Sequence, residues 1–181
     1  VWDIGDKDMQ EQIIKFVENS PFDIEKLNLG NDFNDAAHSH EVIMNGSIAK
    51  SLSHYYESEK EKLHPFTKYR IEAGIPVSAK QYIEAIENAK KMQQTLRKFF
   101  NKFDAIITPA VTGQAPRDLM NTGNAIFNGY WTMMGVPAIS LPLLKGEDSL
   151  PIGIQIISSW NEDFKLLKIA EYILQETKKA C

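Results

Sequence analysis

The pattern of apolar residues changes at Asp104, and this change limits the fold more than any other feature of the chain. Before it, apolar residues recur at intervals of three and four, as in Met9, Ile13 and Phe16, which is the period of a helix with one buried face. After it, short apolar runs are separated by proline and glycine, which is typical of strands. The order predicts a helix-rich α/β chain with a small mixed sheet.

Two helices are marked most clearly. One follows residues 74–77, where Ser78 and Gln81 have the spacing of a capping box. Its apolar face is supplied by Tyr82, Ile86, Ala89, Leu96, Phe99 and Phe103. The last helix is expected to begin near Asn161 and to end at Lys178 and Lys179, where positive charge suits the helix dipole.

Three short runs after Asp104 predict strands at 105–108, 138–144 and 152–157. Residues 145–149 between the last two predict a hairpin loop. In the final run the isoleucines at 152, 154 and 156 share one face, whereas Gly153 and Gln155 share the other. So small a sheet leaves edges to protect, which favours oligomerisation or further strands from a longer protein.

Charge and composition exclude several functions. The net charge is −4, with 20 basic and 24 acidic residues and no basic stripe, so we expect neither nucleic-acid nor membrane partners. No run of about 18 apolar residues predicts a membrane span. The one cysteine, Cys181, is expected to be a frayed terminal thiol. A single cysteine rules out an internal disulfide and favours a cytoplasmic location.

Five segments between residues 101 and 175 carry a resemblance when taken in order. They are Phe103 to Ala110, Ala115-Pro116, Thr122 to Asn124 with Phe127-Asn128 and Trp131-Thr132, Gly135 to Pro142, and Leu150 to Ile157. This succession resembles the C-terminal half of the amidase-signature family. From about Asp32 onward the chain is similar to that family, which implies a C-terminal portion of its α/β fold.

The resemblance implies amide hydrolysis or transfer by a nucleophilic serine, a second bridging serine and a lysine, all in the family's N-terminal half. A serine needs an adjacent base and preorganised oxyanion donors. This chain has no Gly-Gly pair, and its one Ser-Ser pair, Ser158-Ser159, precedes Trp160. We interpret that pair as a strand-end turn. We therefore expect no catalytic residue and no cofactor here, and no activity from the chain alone.

Four residues are candidates for substrate binding: Asn124, Phe127, Trp131 and Gln155. Phe127 and Trp131 share one helical face and are either pocket wall or ordinary core aromatics. Asn124 stands where similar sequences often carry an acidic residue. Asparagine lacks the negative charge with which that residue would bind a substrate's amine. Gln155 either reaches the catalytic region or is a buried glutamine bound to neighbouring backbone.

The four histidines, His38, His40, His54 and His64, do not predict a metal site. His38 and His40 are two residues apart, so on a helix they point to different faces, and the sequence offers no third ligand. Solvated histidines on helix surfaces are the simpler interpretation. We expect no metal.

The whole chain, residues 1–181, is interpreted as a single domain, the C-terminal fragment of an amidase acting on a small carboxamide. The parent is either free-standing or the amidase subunit of a glutamyl-tRNA amidotransferase. Its expected partners are a small-molecule amide, the N-terminal half of the parent and further copies of itself as a homo-oligomer. A start at Val1 without methionine indicates a processed or cut chain. The alternative is a naturally short, inactive binding or dimerisation module.

Overall fold

A computed structural model of the protein describes residues 2–118 and 120–180. Within them, six α-helices lie at Lys7–Glu18 (α1), Ala36–Glu59 (α2), Pro65–Gly74 (α3), Ala79–Phe100 (α4), Ile126–Met134 (α5) and Asp163–Ala180 (α6). The same ranges contain three strands, at Ile106–Pro109 (β1), Ala138–Lys145 (β2) and Pro151–Ile157 (β3). Cys181 and the side chains of Lys178 and Lys179 lie outside the described residues. No helix in the described part of the chain has the length and apolar content needed to cross a membrane.

The chain divides into two compact units. The first, the sheet unit, joins the residues up to Asn28 with those from Leu96 onward, and the second, the helical unit, comprises Leu29–Thr95. In the helical unit α2 packs against α3. The assignment of a single domain stays a prediction.

The sheet has the strand order β1-β3-β2. The predicted helix-rich α/β class with a small sheet is confirmed, and the three strands lie close to the predicted ranges. The expectation of a mixed sheet is wrong within the described residues, because both strand pairs are antiparallel. The short loop between Lys145 and Pro151 joins β2 to β3 as a hairpin and forces these two strands to run in opposite directions. The long connection from β1 permits either direction, and β1 pairs antiparallel with β3.

The core of the sheet unit contains two clusters of buried residues. Helix α6 packs against β2 and β3 through a cluster of buried residues: Leu141, Ile156, Leu166, Ala170 and Ile173. A second cluster joins α1, α5 and β3 through Met9, Ile13, Phe127 and Ile152. The predicted apolar stripe of α1 is therefore confirmed, since Met9 and Ile13 are buried in it.

The predicted capping box at the start of α4 is confirmed. The Ser78 backbone N–H donates to Gln81 Oε1 at 2.9 Å, and the Gln81 N–H donates to Ser78 Oγ at 3.2 Å. Each side chain thus satisfies a backbone donor that the first helical turn leaves without a partner.

The start of α6 differs from the prediction. The helix begins at Asp163, and Asn161 lies two residues earlier in the left-handed region with φ of 61°, whereas a capping residue normally has extended backbone. The Glu162 N–H donates to the Ser159 carbonyl at 3.2 Å. A tight turn, which asparagine tolerates with positive φ, therefore precedes the helix.

Candidate functional site

A row of three polar side chains crosses the sheet. Gln155 on β3 lies opposite Thr108 on β1 and Ser140 on β2, so all three side chains project from the same face. Gln155 is 6% exposed, whereas Ser140 at the edge is exposed to solvent. We call these three residues the polar row. It runs from the interior of the sheet to an open edge.

Asn128 on α5 connects this row to the end of β1. The Gln155 amide Nε2 donates to Asn128 Oδ1 at 2.7 Å, and Asn128 Nδ2 donates to the Ala110 carbonyl at 3.0 Å. On its other side, Gln155 Oε1 accepts a longer bond of 3.4 Å from the Thr108 hydroxyl. A continuous chain of uncharged hydrogen-bonding groups therefore joins two strands and a helix.

Gly153 allows the three strands to approach closely next to the polar row. A Cβ atom at this position would lie 2.7 Å from Ser140 Oγ and 3.0 Å from the Ala110 Cβ, both closer than ordinary van der Waals contact. The Ala110 N–H donates to the Gly153 carbonyl at 3.0 Å. The absent side chain thus lets the chain leave β1 directly alongside β3.

An open depression of about 680 Å³ lies beyond the end of β1. Its wall is formed mainly by residues 111–116 and 121–124, with Ile4, Asp6 and Pro151. Asn124 lies in this wall, and its Oδ1 accepts the Ile126 N–H at 3.0 Å. This bond fixes the orientation of the side chain, and the amide NH₂ group is the donor that Asn124 offers to a ligand.

The structure separates the four predicted site residues. Asn124 borders the depression, and Gln155 belongs to the polar row. Phe127 and Trp131, both on α5, are only 4% and 3% exposed, and Phe127 packs in the core cluster with Met9 and Ile13. A substrate-binding role for these four residues stays a prediction.

The Ser158-Ser159 pair follows the end of β3. Ser158 is 1% exposed and its N–H donates to the Pro137 carbonyl at 3.1 Å, but its hydroxyl has no hydrogen-bond partner in the described part of the chain. Ser159 begins the turn that leads to α6. A serine nucleophile needs a base within hydrogen-bond distance, and the Ser158 hydroxyl has none among the described residues.

A polar cluster holds the hairpin loop next to the far wall of the depression. Gln114 Nε2 donates to Asp148 Oδ2 at 2.8 Å, and the guanidinium of Arg117 pairs with the same carboxylate. The hydrogen bond from Arg117, followed by that from Gln114, holds the pKa of Asp148 below its ordinary value. Glu147 is also anchored, because its N–H donates to Asp8 Oδ2 at 3.0 Å.

Replacing Arg117 with glutamine is expected to raise the pKa of Asp148 toward its ordinary value, because the strongest donor to its carboxylate is lost. Since the folded pKa is lowered, the pair stabilises the fold at neutral pH, and this contribution is lost as the pH falls through the lowered pKa. NMR titration of the Asp148 carboxyl carbon measures the shift. Arg97→Gln, which removes a cation stacked on Trp160, is the control. An unchanged Asp148 pKa in Arg117→Gln contradicts the assignment.

The histidines lie on helices or at a helix start. His40 is half-buried, and burial lowers its pKa. His64 caps α3, since its Nδ1 accepts the Phe66 N–H at 3.2 Å. Within residues 2–118 and 120–180, no three side chains of His, Cys, Asp or Glu are grouped so as to hold a metal ion.

Sequence reasoning missed Asn128 and Ser140 as parts of this site. Both stand in segments that carry the family resemblance, Phe127-Asn128 and Gly135 to Pro142, but neither was singled out. The alternation along β3 correctly predicted that Gln155 shares a face of the strand with Gly153. Thr108 and Ser140 lie next to Gln155 because of the register in which the three strands pair. That register could not be predicted from the sequence.

Comparison with known proteins identifies the family. The family model described as Amidase matches residues 16–167. The chain therefore belongs to the amidase family, and the resemblance inferred from its motifs is confirmed.

Individual relatives agree with this assignment. The chain is 30% identical over 144 residues to a subunit of the glutamyl-tRNA(Gln) amidotransferase of Clostridium botulinum, covering 73% of this chain and 30% of the relative. It is 27% identical over 107 residues to a putative amidase of Mycobacterium leprae, covering 52% and 23%. A crystal structure of an amidase shares the fold with a TM-score of 0.75 at 18% identity, over 89% of this chain and 39% of that one. The chain thus spans less than a third of the length of these two curated relatives.

Proposed function

We propose that this chain forms the C-terminal scaffold and part of the substrate-pocket wall of an amidase that hydrolyses carbon–nitrogen bonds of small carboxamides. The observation that carries the proposal is the uncharged network of Thr108, Gln155 and Asn128, which adjoins the segment lining the open depression. A carboxamide substrate is neutral and both donates and accepts hydrogen bonds. Amide and hydroxyl side chains complement it without requiring a charge.

We place the catalytic serine and lysine outside this chain. The buried, unpartnered hydroxyl of Ser158 lacks the base that would activate it. The sequence has no Gly-Gly pair to build an oxyanion loop of the family's kind. The contribution of residues 1–181 is then to position the substrate rather than to attack it.

A second candidate is the corresponding part of the amidase subunit of a glutamyl-tRNA amidotransferase. It is supported by the 30% identity to the clostridial amidotransferase subunit. In both candidates the acyl group of the amide is transferred to water; they differ in the fate of the ammonia, which a free-standing amidase releases and an amidotransferase passes to a partner's substrate. If neither activity is found, the alternative interpretation is a naturally short, inactive binding or dimerisation module.

Ammonia release from a panel of small carboxamides tests the proposal. The polypeptide purified from source cells at its native length is expected to release ammonia, and the 181-residue chain alone is expected to release none above the blank. Ser158→Ala and Ser159→Ala in the native polypeptide should leave kcat within about threefold, because neither serine is the nucleophile. Turnover by the 181-residue chain that Ser158→Ala abolishes would overturn the proposal. Ammonia release that occurs only with glutamine and is stimulated by glutamyl-tRNA would favour the amidotransferase.

A further inference from the structure

We propose that Asn128 is a positioning residue, which holds residues 110–118 at the correct distance from β3 to accept a substrate. This inference rests on the proposed function, because it assumes that the depression lined by residues 111–116 is where a carboxamide binds. Asn128 itself lies outside the depression's wall. It acts through the Ala110 carbonyl.

The chain leaves the sheet at Ala110, and both backbone groups of this residue are fixed. Its N–H donates to the Gly153 carbonyl on β3, and its carbonyl accepts the bond from Asn128 Nδ2. Ala110 is also buried, with 6% exposure. The direction in which the following residues run is therefore set from two sides, by a strand and by a helix.

The orientation of every amide in the network follows from the Ala110 carbonyl. A carbonyl only accepts, so the NH₂ group of Asn128 must face it, and Oδ1 must face Gln155. The NH₂ group of Gln155 then faces Asn128, and its oxygen faces the Thr108 hydroxyl. Asn128 must donate at one end and accept at the other. An aspartate of the same shape accepts at both ends and would repel the Ala110 carbonyl.

The segment is held at its far end by different groups. Ala115 N–H donates to the Pro151 carbonyl at 3.1 Å, and the Thr112 carbonyl accepts the Asp6 N–H at 2.7 Å. Gln114 and Arg117 are bound to Asp148. Loss of the Asn128 bond therefore loosens the near end of the segment, which is then held only by the Ala110 N–H bond to Gly153, while the far end stays attached. The depression changes in shape and the fold remains.

The test compares Asn128→Asp with Gln155→Met, which removes the donor to Asn128 without adding a buried charge. Asn101→Asp adds the same charge as Asn128→Asp at an exposed position and serves as the control. Hydrogen exchange of the backbone amides of residues 110–115 reports on the segment in the 181-residue chain and does not depend on activity. The values of kcat and KM for a small carboxamide are measured on the native polypeptide.

Each network variant is expected to speed exchange in residues 110–115 by about tenfold, and to raise KM by about tenfold with kcat within about threefold, as loss of one partly buried hydrogen bond would do. In the double variant, the fold-increases in exchange rate and in KM should be smaller than the products of the two single-variant values, because both substitutions break the same hydrogen bond. Unchanged exchange in this segment, an equal increase throughout β2 and β3, or a lower kcat at constant KM would each overturn the inference. If the native polypeptide hydrolyses no carboxamide, the proposed function fails, and exchange alone decides whether Asn128 holds the segment.

Discussion

Replacing Phe127 with alanine is expected to lower the free energy of unfolding by about 3–5 kcal/mol, the cost of deleting a buried phenylalanine ring. The ring is 4% exposed and packs with Met9, Ile13 and Ile152, so it joins α5 to both α1 and β3. Truncation leaves a cavity between three elements, and two of them, α5 and β3, are also joined by the Gln155–Asn128 hydrogen bond, so the cavity cannot close freely. Urea denaturation of the 181-residue chain, followed by circular dichroism, measures the change.

The control for this prediction is Phe164→Ala. Phe164 lies on α6 and is 74% exposed, so its loss should alter the free energy of unfolding by no more than about 0.5 kcal/mol. The comparison also decides between the two interpretations of Phe127. A loss of less than about 1 kcal/mol in Phe127→Ala, together with a higher KM in the native polypeptide, would contradict the core assignment and make the ring part of the pocket wall.

Replacing Gly74 with alanine is expected to destabilise the helical unit by about 1–3 kcal/mol, the usual cost of overpacking. A Cβ atom here would lie 2.0 Å from the Asn45 carbonyl oxygen and 2.7 Å from the Ala49 Cβ. Because the nearest atom belongs to the backbone of α2, relief requires a shift of α2 against α3 rather than a rotamer change. Faster hydrogen exchange in α2 and α3 and a lower thermal midpoint are the measured consequences.

Gly46→Ala is the matched control, since it adds the same methyl group to α2. The nearest atom to a Cβ at Gly46 is Cδ2 of the Tyr82 ring at 3.0 Å, and a side chain can move by a few tenths of an ångström. Alanine also gains up to about 1 kcal/mol of helix propensity over glycine. Gly46→Ala should therefore be close to neutral. Equal destabilisation by both variants would contradict the view that close backbone packing at Gly74 is responsible.

The local features of this fold could be predicted from the sequence because they depend on a few neighbouring residues. The capping box at Ser78 and Gln81 and the hairpin between β2 and β3 each follow from short-range geometry. The start of α6 could not be fixed in the same way. Asparagine suits both a helix cap and a left-handed turn, and at Asn161 the turn was adopted.

The candidate site was predicted only in part, because it depends on long-range pairing. Asn124 and Gln155 were identified from their segments, but Asn128 acquires its role only when α5 lies against the end of β1. The polar row likewise requires the register of three strands. The long connection from β1 through α5 and β2 to β3 permits either strand direction, so the sequence does not determine how β1 pairs with β3.

Labelling by a serine-reactive fluorophosphonate probe tests the central claim most directly. The native polypeptide is captured from source cells with an antibody raised against residues 1–181, labelled, digested and analysed by mass spectrometry. We expect a labelled serine in a peptide outside residues 1–181, on a polypeptide larger than 20.5 kDa. A label on Ser158 or Ser159 would contradict this expectation, because the nucleophile would then lie in this chain.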